Sequence, residues 1–264
     1  MSSHRQSIQA QFDPQAHAYL HSAVHAQGLD LARAQALVAQ TLPATAKLLD
    51  VGCGAGHLSF ALAAHVQSVV ALDPSPAMLA TVAEAAAERG LAQIETVQGT
   101  AEALPFEDGR FCMVCTRYSA HHWMQLEAAL REMRRVLKPK GVLMVIDVQG
   151  DEHALVDTHL QAMELLRDRS HVRNRSLSEW RALLAGAGFE HLVHEQWPLR
   201  LEFASWVARM RTPASNVAMI RALQLAAPQE VRDALSIEAD GSFTAQTGLF
   251  FARKPARCGR GGLP

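Results

Sequence analysis

The chain lacks an excess of either charge. Its 25 lysines and arginines meet 26 aspartates and glutamates over 264 residues, a formal net charge of −1. No basic stripe breaks that balance, which argues against a nucleic-acid backbone or an anionic membrane as partner. Long apolar runs are missing as well. None is long enough to span a bilayer, and the opening stretch MSSHRQSIQAQF has no apolar signal core, so a cytoplasmic location is expected. Cysteine is scarce, with only Cys53, Cys112, Cys115 and Cys258. Cys112 and Cys115 form a C-x-x-C, a spacing that suits redox or zinc chemistry. They lie in FCMVCTR, a short apolar run of strand character, where positions three apart face opposite sides. No second pair completes a zinc site, so both read as core residues of a reduced protein and no metal is expected. Internal repeats are absent too.

What the chain has is apolar bulk and rhythm. Hydrophobic residues make up 49% of it, enough for one large α/β domain or a core domain with a helical cap. From about residue 47 to 147, short apolar strands alternate with helices. The strands are KLLDVG, SVVALD, AQIETVQ, FCMVCTR and VLMVIDV. The helices are LSFALAAHV, then SPAMLATVAEAAAERG with Ser/Pro cap chemistry, then LEAALREMRRVLKPKG, closed by Pro139 and Gly141. This alternation predicts a doubly wound α/β fold with a mainly parallel sheet covered on both faces. After Asp147 the rhythm changes. Residues 151–170 and SLSEWRALLAGAGF read as helices, and EHLVHEQW as a sixth strand. Residues 203–236 read as helix broken at Pro213 and Pro228, and SFTAQTGLFFARK as a seventh strand. The expected organisation is one domain over 1–255. Its core spans about 45–150, with N-terminal helices (5–42) and inserts (151–236) forming a substrate cap, and 256–264 is a disordered tail.

The stretch LLDVGCGAGHLS places Gly52, Gly54 and Gly56 between the first strand and the first helix. A glycine-rich turn there lets a cofactor lie against bare backbone. A dinucleotide site wants G-x-G-x-x-G, and its third glycine position is occupied here by His57. Two carboxylates sharpen the picture. Asp50 sits on the first strand and Asp73 ends the second, and neighbouring strand ends face one crevice. A carboxylate there can accept both hydroxyl hydrogens of a ribose.

These segments, with VQGTAEALPFEDGRFCMVCTRYSAHHW and LREMRRVLKPKGVLMVID, resemble the successive motifs of class I S-adenosylmethionine-dependent methyltransferases. They are nearest the ubiquinone/menaquinone-biosynthesis-like branch. Outside them, QFDPQAHAYLHSAVHA, SHVRN and SWVARMRTP are similar to a bacterial subgroup of YafE type. The resemblance implies a seven-stranded Rossmann-like methyltransferase sheet, S-adenosylmethionine as cofactor, and a small-molecule acceptor of quinone-like or phenolic kind methylated on carbon or oxygen. It implies that Gly52, Cys53, Gly54 and Gly56 meet the methionine half of the cofactor with Asp50 nearby. Asp73 would hold the ribose and Met78 would pack beside the nucleoside. Ala101 and Glu102 would flank the adenine edge, and Thr100 stands where the family usually has Asp. Thr116 and Arg117 would close the pocket over the sulfonium side.

Amino-methylating members often carry an Asn/Asp-Pro-Pro-aromatic segment after strand four, where this chain has Thr116-Arg117-Tyr118-Ser119. His121 and His122 follow instead, both able to act near neutral pH as a catalytic base or to pack and cap the next helix. His17, His21 and His25 share one helix face and read as solvated. The basic run REMRR with Lys138 reads the same way. Arg209 and Arg211 near Trp206 are candidates for binding a substrate carboxylate or phosphate, with ordinary surface pairing as the alternative. A homodimer is left open. Two other functions stay open at this point: a non-catalytic S-adenosylmethionine-binding protein and an NAD-dependent oxidoreductase.

Overall fold

The structure, a computed structural model, describes residues 4–13, 20 and 28–256. His17, His21, His25, Cys258 and residues 257–264 of the expected tail lie outside them. Strand β1 (Lys47–Val51) is buried along all but its first residue, as a central parallel strand must be. It pairs in parallel with β2 (Ser68–Asp73) on one side and with β4 (Phe111–Arg117) on the other. Strand β3 (Ile94–Gln98) flanks β2, and β5 (Leu137–Gln149) flanks β4. Strands β6 (Glu190–Leu201) and β7 (Phe243–Arg253) complete the order β3-β2-β1-β4-β5-β7-β6, with β7 antiparallel to both neighbours. The chain winds outward from β1 to β3, then crosses back to β4. That reversal opens a crevice at the carboxyl ends of β1 and β4, the place where open α/β sheets bind ligands.

Helices α1 (His4–Phe12) and α2 (Leu29–Thr41) precede the sheet. Helices α3 (His57–Ala63), α4 (Pro76–Glu88) and α5 (Leu126–Val136) connect its strands. The period of two is visible in β1: Leu48 belongs to the core on one face with Leu62 and Met113, Leu49 to the core on the other with Leu130 and Val114. A third cluster gathers the helices of the inserts expected to form the cap. Helices α6 (Ala154–Arg167), α8 (Phe203–Arg209), α9 (Ala214–Ala226) and α10 (Gln229–Ala234) close around Trp206, Ile220 and Phe243. Phe243 opens β7, so the cap is packed onto the sheet. The expected proline breaks stand at Pro213 and Pro228, the residues just before α9 and α10. Helix α7 (Leu177–Gly186) begins with a capping box between Ser176 and Glu179.

Two details differ from the expectations. Helix α5 stops at Val136 rather than running to Gly141, because Leu137 is fully buried and pairs with Phe111 as the first residue of β5. Cys112 and Cys115 do not diverge as strict alternation requires. Strand β4 is irregular between Phe111 and Met113, and Cys112 packs half-buried against the same cluster that holds Cys115. Both remain free thiols. No helix among the described residues is long and apolar enough to cross a membrane.

Candidate functional site

The turn after β1 is held by its own backbone. Gly52 and Cys53 both donate to the Leu72 carbonyl, at 2.7 and 3.0 Å, and Gly56 donates to Cys53 at 2.9 Å. The three glycines take left-handed φ values of 69°, 51° and 87°. Their surroundings separate their tasks. A Cβ on Gly52 would strike Ser119 Oγ, and one on Gly56 would come within 2.8 Å of the Phe60 ring. A Cβ on Gly54 would meet nothing within 4 Å among the described residues, because this residue faces an open cavity of about 350 Å³. That volume sits at the lower end of the range for small-molecule sites.

Two buried carboxylates line the cavity. Asp73 Oδ2 accepts from the Gly54 N–H at 3.0 Å, and its Oδ1 accepts from the Ser75 N–H at 2.9 Å. Asp50 Oδ2 accepts from Ser59 Oγ at 2.6 Å, while its Oδ1 is buried with no hydrogen-bond partner among the described residues. Burial pushes the carboxyl of Asp50 up to about 6, against the Ser59 hydrogen bond, and Asp73 adds to the rise. Burial also pushes Asp73 up to about 6, against the two backbone hydrogen bonds. Burial raises the Cys53 thiol far above its ordinary range, so it stays a neutral wall.

The end of β4 supplies another wall. Arg117 lines the cavity with its Nε donating to Asp30 Oδ2 at 2.5 Å, a buried ion pair to the first turn of α2. Tyr118 turns the chain with φ 49° and directs its hydroxyl to Thr247 Oγ1 at 2.9 Å. A short 3-10 turn over Ala120–His122 then places the two histidines differently. His122 lines the cavity and His121 does not. His121 Nδ1 lies 2.6 Å from Asp147 Oδ1, and its backbone N–H donates to Asp147 Oδ2. Burial pulls the His121 imidazole down, but the charge and hydrogen bond of Asp147 outweigh it and hold it above the ordinary histidine range. His122 is depressed to about 4 by burial and then by neighbouring His121. It is therefore neutral at physiological pH. Helix α1 roofs the cavity through Ile8 and Phe12, and Phe12 meets the His122 ring edge-on at 5.2 Å between centroids.

Comparison with known proteins places this geometry. Residues 49–145 match the family described as methyltransferase domain. YafE of Escherichia coli (strain K12) is 47% identical over 207 residues, 78% of this chain and 99% of that protein. The crystal structure of YcgJ from Bacillus subtilis superposes with a TM-score of 0.80 at 32% identity, covering 85% of this chain and 99% of that one. The ubiquinone/menaquinone biosynthesis C-methyltransferase UbiE of Shewanella sp. (strain MR-4) is 34% identical over 114 residues, 42% of this chain and 45% of its own. The chain belongs to the class I S-adenosylmethionine-dependent methyltransferases.

The cofactor of this methyltransferase is S-adenosylmethionine, and the residues fit it. The orphaned Asp50 Oδ1 suits an ammonium, Asp73 keeps acceptor capacity for hydroxyls, and the bare Gly54 backbone leaves room beside both. Of the residues singled out in the sequence, the cavity wall collects Asp50, Gly52, Cys53, Gly54, Asp73, Met78, Thr100, Ala101, Glu102, Arg117 and His122. Gly56 stands behind it as the left-handed residue that starts α3. Thr116 is fully buried inside the sheet, paired with Val145, and does not reach the cavity, because side chains alternate along β4. Arg209 and Arg211 do not line it either. Trp206 is turned into the cap core, and the arginine stacked on it, at 4.9 Å, is Arg167. Sequence reasoning missed Ser59, Asp30 and Asp147, whose roles arise from side-chain contacts that local pattern does not show, 9, 87 and 26 residues from their partners.

Proposed function

We propose that this methyltransferase transfers a methyl group to oxygen or carbon of a small phenolic or quinone-like acceptor, with His122 as the base. The observation that carries this reading is a neutral imidazole on the cavity wall in company with the apolar side chains of Ile8, Phe12, Trp123 and Met124. Apolar side chains beside the base favour a flat acceptor, and a low-dielectric surrounding favours the neutralisation of opposite charges in the transition state. The quinone-biosynthesis name of the UbiE relatives supports the same acceptor class.

Bound S-adenosylmethionine supplies a methyl group made electrophilic by its sulfonium sulfur. Asp50 would hold the ammonium of its methionine half through the orphaned oxygen. Asp73 would accept from the ribose hydroxyls, fixed by Gly54 and Ser75. Arg117, neutralised by Asp30, would border the acceptor without adding net charge. His122 would take the proton of an acceptor hydroxyl, leaving an anion to attack the methyl carbon. The free thiols Cys53, Cys112 and Cys115 fit a reducing compartment, the cytoplasm.

Incubation with S-adenosylmethionine tritiated on the methyl group, against a panel of phenols, hydroquinones, enols and amines, tests this. Label is expected in a phenol, hydroquinone or enol, and His122→Ala should slow that transfer by roughly 10²–10⁴ with cofactor affinity kept. Label in amines alone, or full turnover in His122→Ala, would overturn it.

A further inference from the structure

The polar groups behind His122 form a connected chain of hydrogen bonds. The segment after α6 brings Asp168 and Ser170 to the ring, both buried. His122 Nδ1 lies 3.1 Å from the Ser170 carbonyl oxygen and 3.2 Å from Ser170 Oγ. The carbonyl can only accept, and Ser170 Oγ gives its own hydrogen to Asp168 Oδ1 at 2.6 Å. Nδ1 must therefore carry a hydrogen, which in a neutral ring leaves Nε2 a bare acceptor. Asp168 Oδ2 stands 3.9 Å from that Nε2, beyond hydrogen-bond reach but near enough to attract a charge on it.

We propose that Asp168, acting through Ser170, is a positioning residue for His122. It fixes the ring in the Nδ1–H form and neutralises the charge that appears when Nε2 accepts a proton. This rests on His122 being the base of the proposed function. In the step, the acceptor O–H proton moves to Nε2 and its electron pair stays on the acceptor. That pair forms the bond to the methyl carbon, and the carbon–sulfur pair leaves with sulfur as a neutral thioether. The single positive charge thus passes from sulfur to imidazole, where Asp168 meets it.

The neighbours of His122 set the sign of the effect. His121 lies 4.1 Å away between ring centroids and is held to Asp147 of β5. His171 sits 5.8 Å from the His121 ring, with its Nε2 bonded to Gln161 of α6. From α1, Phe12 covers the ring and His4 Nε2 donates to the His122 carbonyl at 2.9 Å. His121 opposes a charge on His122, and Asp168 leads the groups that favour one, ahead of the Ser170 carbonyl and Asp147. Asp168 Oδ1 also accepts from the Ser170 N–H at 2.8 Å, an Asx turn that an asparagine keeps. Asp168→Asn therefore removes charge with little change of shape.

The test uses the full chain labelled with ¹⁵N-histidine, saturated with S-adenosylhomocysteine, and follows the His122 ring nitrogens by ¹H–¹⁵N correlation as pH is lowered. Wild-type protein should show the Nδ1–H form. Asp168→Asn should melt close to wild type while His122 stays neutral to a pH about one unit lower, the effect of removing an opposite charge within ~4–6 Å. An Nε2–H ring in the wild type overturns the proposal, and that spectrum decides even if the variant does not fold. A variant whose His122 titrates at or above the wild-type midpoint overturns it too. Neither result bears on whether His122 is the base, which the His122→Ala turnover decides separately.

Discussion

Asp50 and Asp73 carry the same formal charge into one buried crevice, and both are held near 6 by burial rather than by a partner. The proposed binding of S-adenosylmethionine needs them ionised, one for its ammonium and one for its ribose. Cofactor affinity should therefore be flat above pH 7 and fall as pH drops through 6. At pH 5 each carboxyl that must lose a proton costs about tenfold, so calorimetry with S-adenosylhomocysteine should show a loss of about ten- to a hundredfold against pH 7.5. Affinity independent of pH over that range would mean that neither carboxylate meets the ligand. The glycines make a second residue-scale contrast. A Cβ on Gly54 meets nothing within 4 Å among the described residues, whereas one on Gly56 runs into Phe60 and Val82. Gly54→Val should abolish cofactor binding in a chain that still folds, with a cost of about 1–2 kcal/mol from its left-handed backbone. Gly56→Val should lower the melting temperature more. Equal melting temperatures with intact binding would show that the loop does not cradle the ligand.

Helix α1 acts as an element rather than as a set of residues. At nine residues it is too short to hold its shape alone, so its order comes from what it touches. Gln11 donates to the Met210 carbonyl of the cap, and Asp13 just beyond the helix accepts from Ser75 Oγ at 2.5 Å. Phe12 packs near Ala55 and Met78, two residues beside the glycine turn and α4. The helix thus ties the cap to the cofactor crevice across the cavity mouth. Phe12→Ala should loosen this roof by roughly 1–2 kcal/mol, seen as about tenfold faster release of S-adenosylhomocysteine in stopped flow. The melting temperature of the ligand-free chain should move little, since Phe12 is only half-buried. An unchanged release rate would remove α1 from ligand retention.

At the scale of the whole molecule, the site weakens the fold that carries it. A carboxyl whose pKa is raised on folding binds a proton that the unfolded chain releases, so Asp50 opposes folding above pH 6 and ceases to do so as pH falls toward 4. His122 works the other way: it is depressed on folding, and its contribution is lost as pH falls below about 6.5 toward 4. Asp50→Asn should therefore raise the melting temperature of the free protein at pH 7.5, and the gain should shrink by pH 5. The same variant should lose the stabilisation by S-adenosylhomocysteine, which in the wild type at a hundred times Kd is about 2.7 kcal/mol. A drop in melting temperature for Asp50→Asn at pH 7.5 would show that this carboxylate supports the fold.

The sequence by itself determined the strand and helix order from Lys47 to Asp147, the turn at Gly52–Gly56 and the carboxylates at Asp50 and Asp73. These are local matters: burial on both faces writes a strand as an apolar run, and a left-handed turn leaves glycine as its trace. The proline breaks at Pro213 and Pro228 were legible for the same reason. Tertiary structure alone decided which side chains share the cavity. Whether His121 or His122 faces it depends on Asp147, 26 residues away, capturing the first of them. Ser170 holds the second from 48 residues away. Thr116 and Arg117 are adjacent in sequence, yet only Arg117 reaches the wall, because strand pleat and the Asp30 partner fix their directions. Arg209 and Arg211 stand outside it because Trp206 was claimed by the cap core. Periodicity and turn chemistry are carried within a few residues of chain, whereas a site is an agreement between segments that only packing brings together.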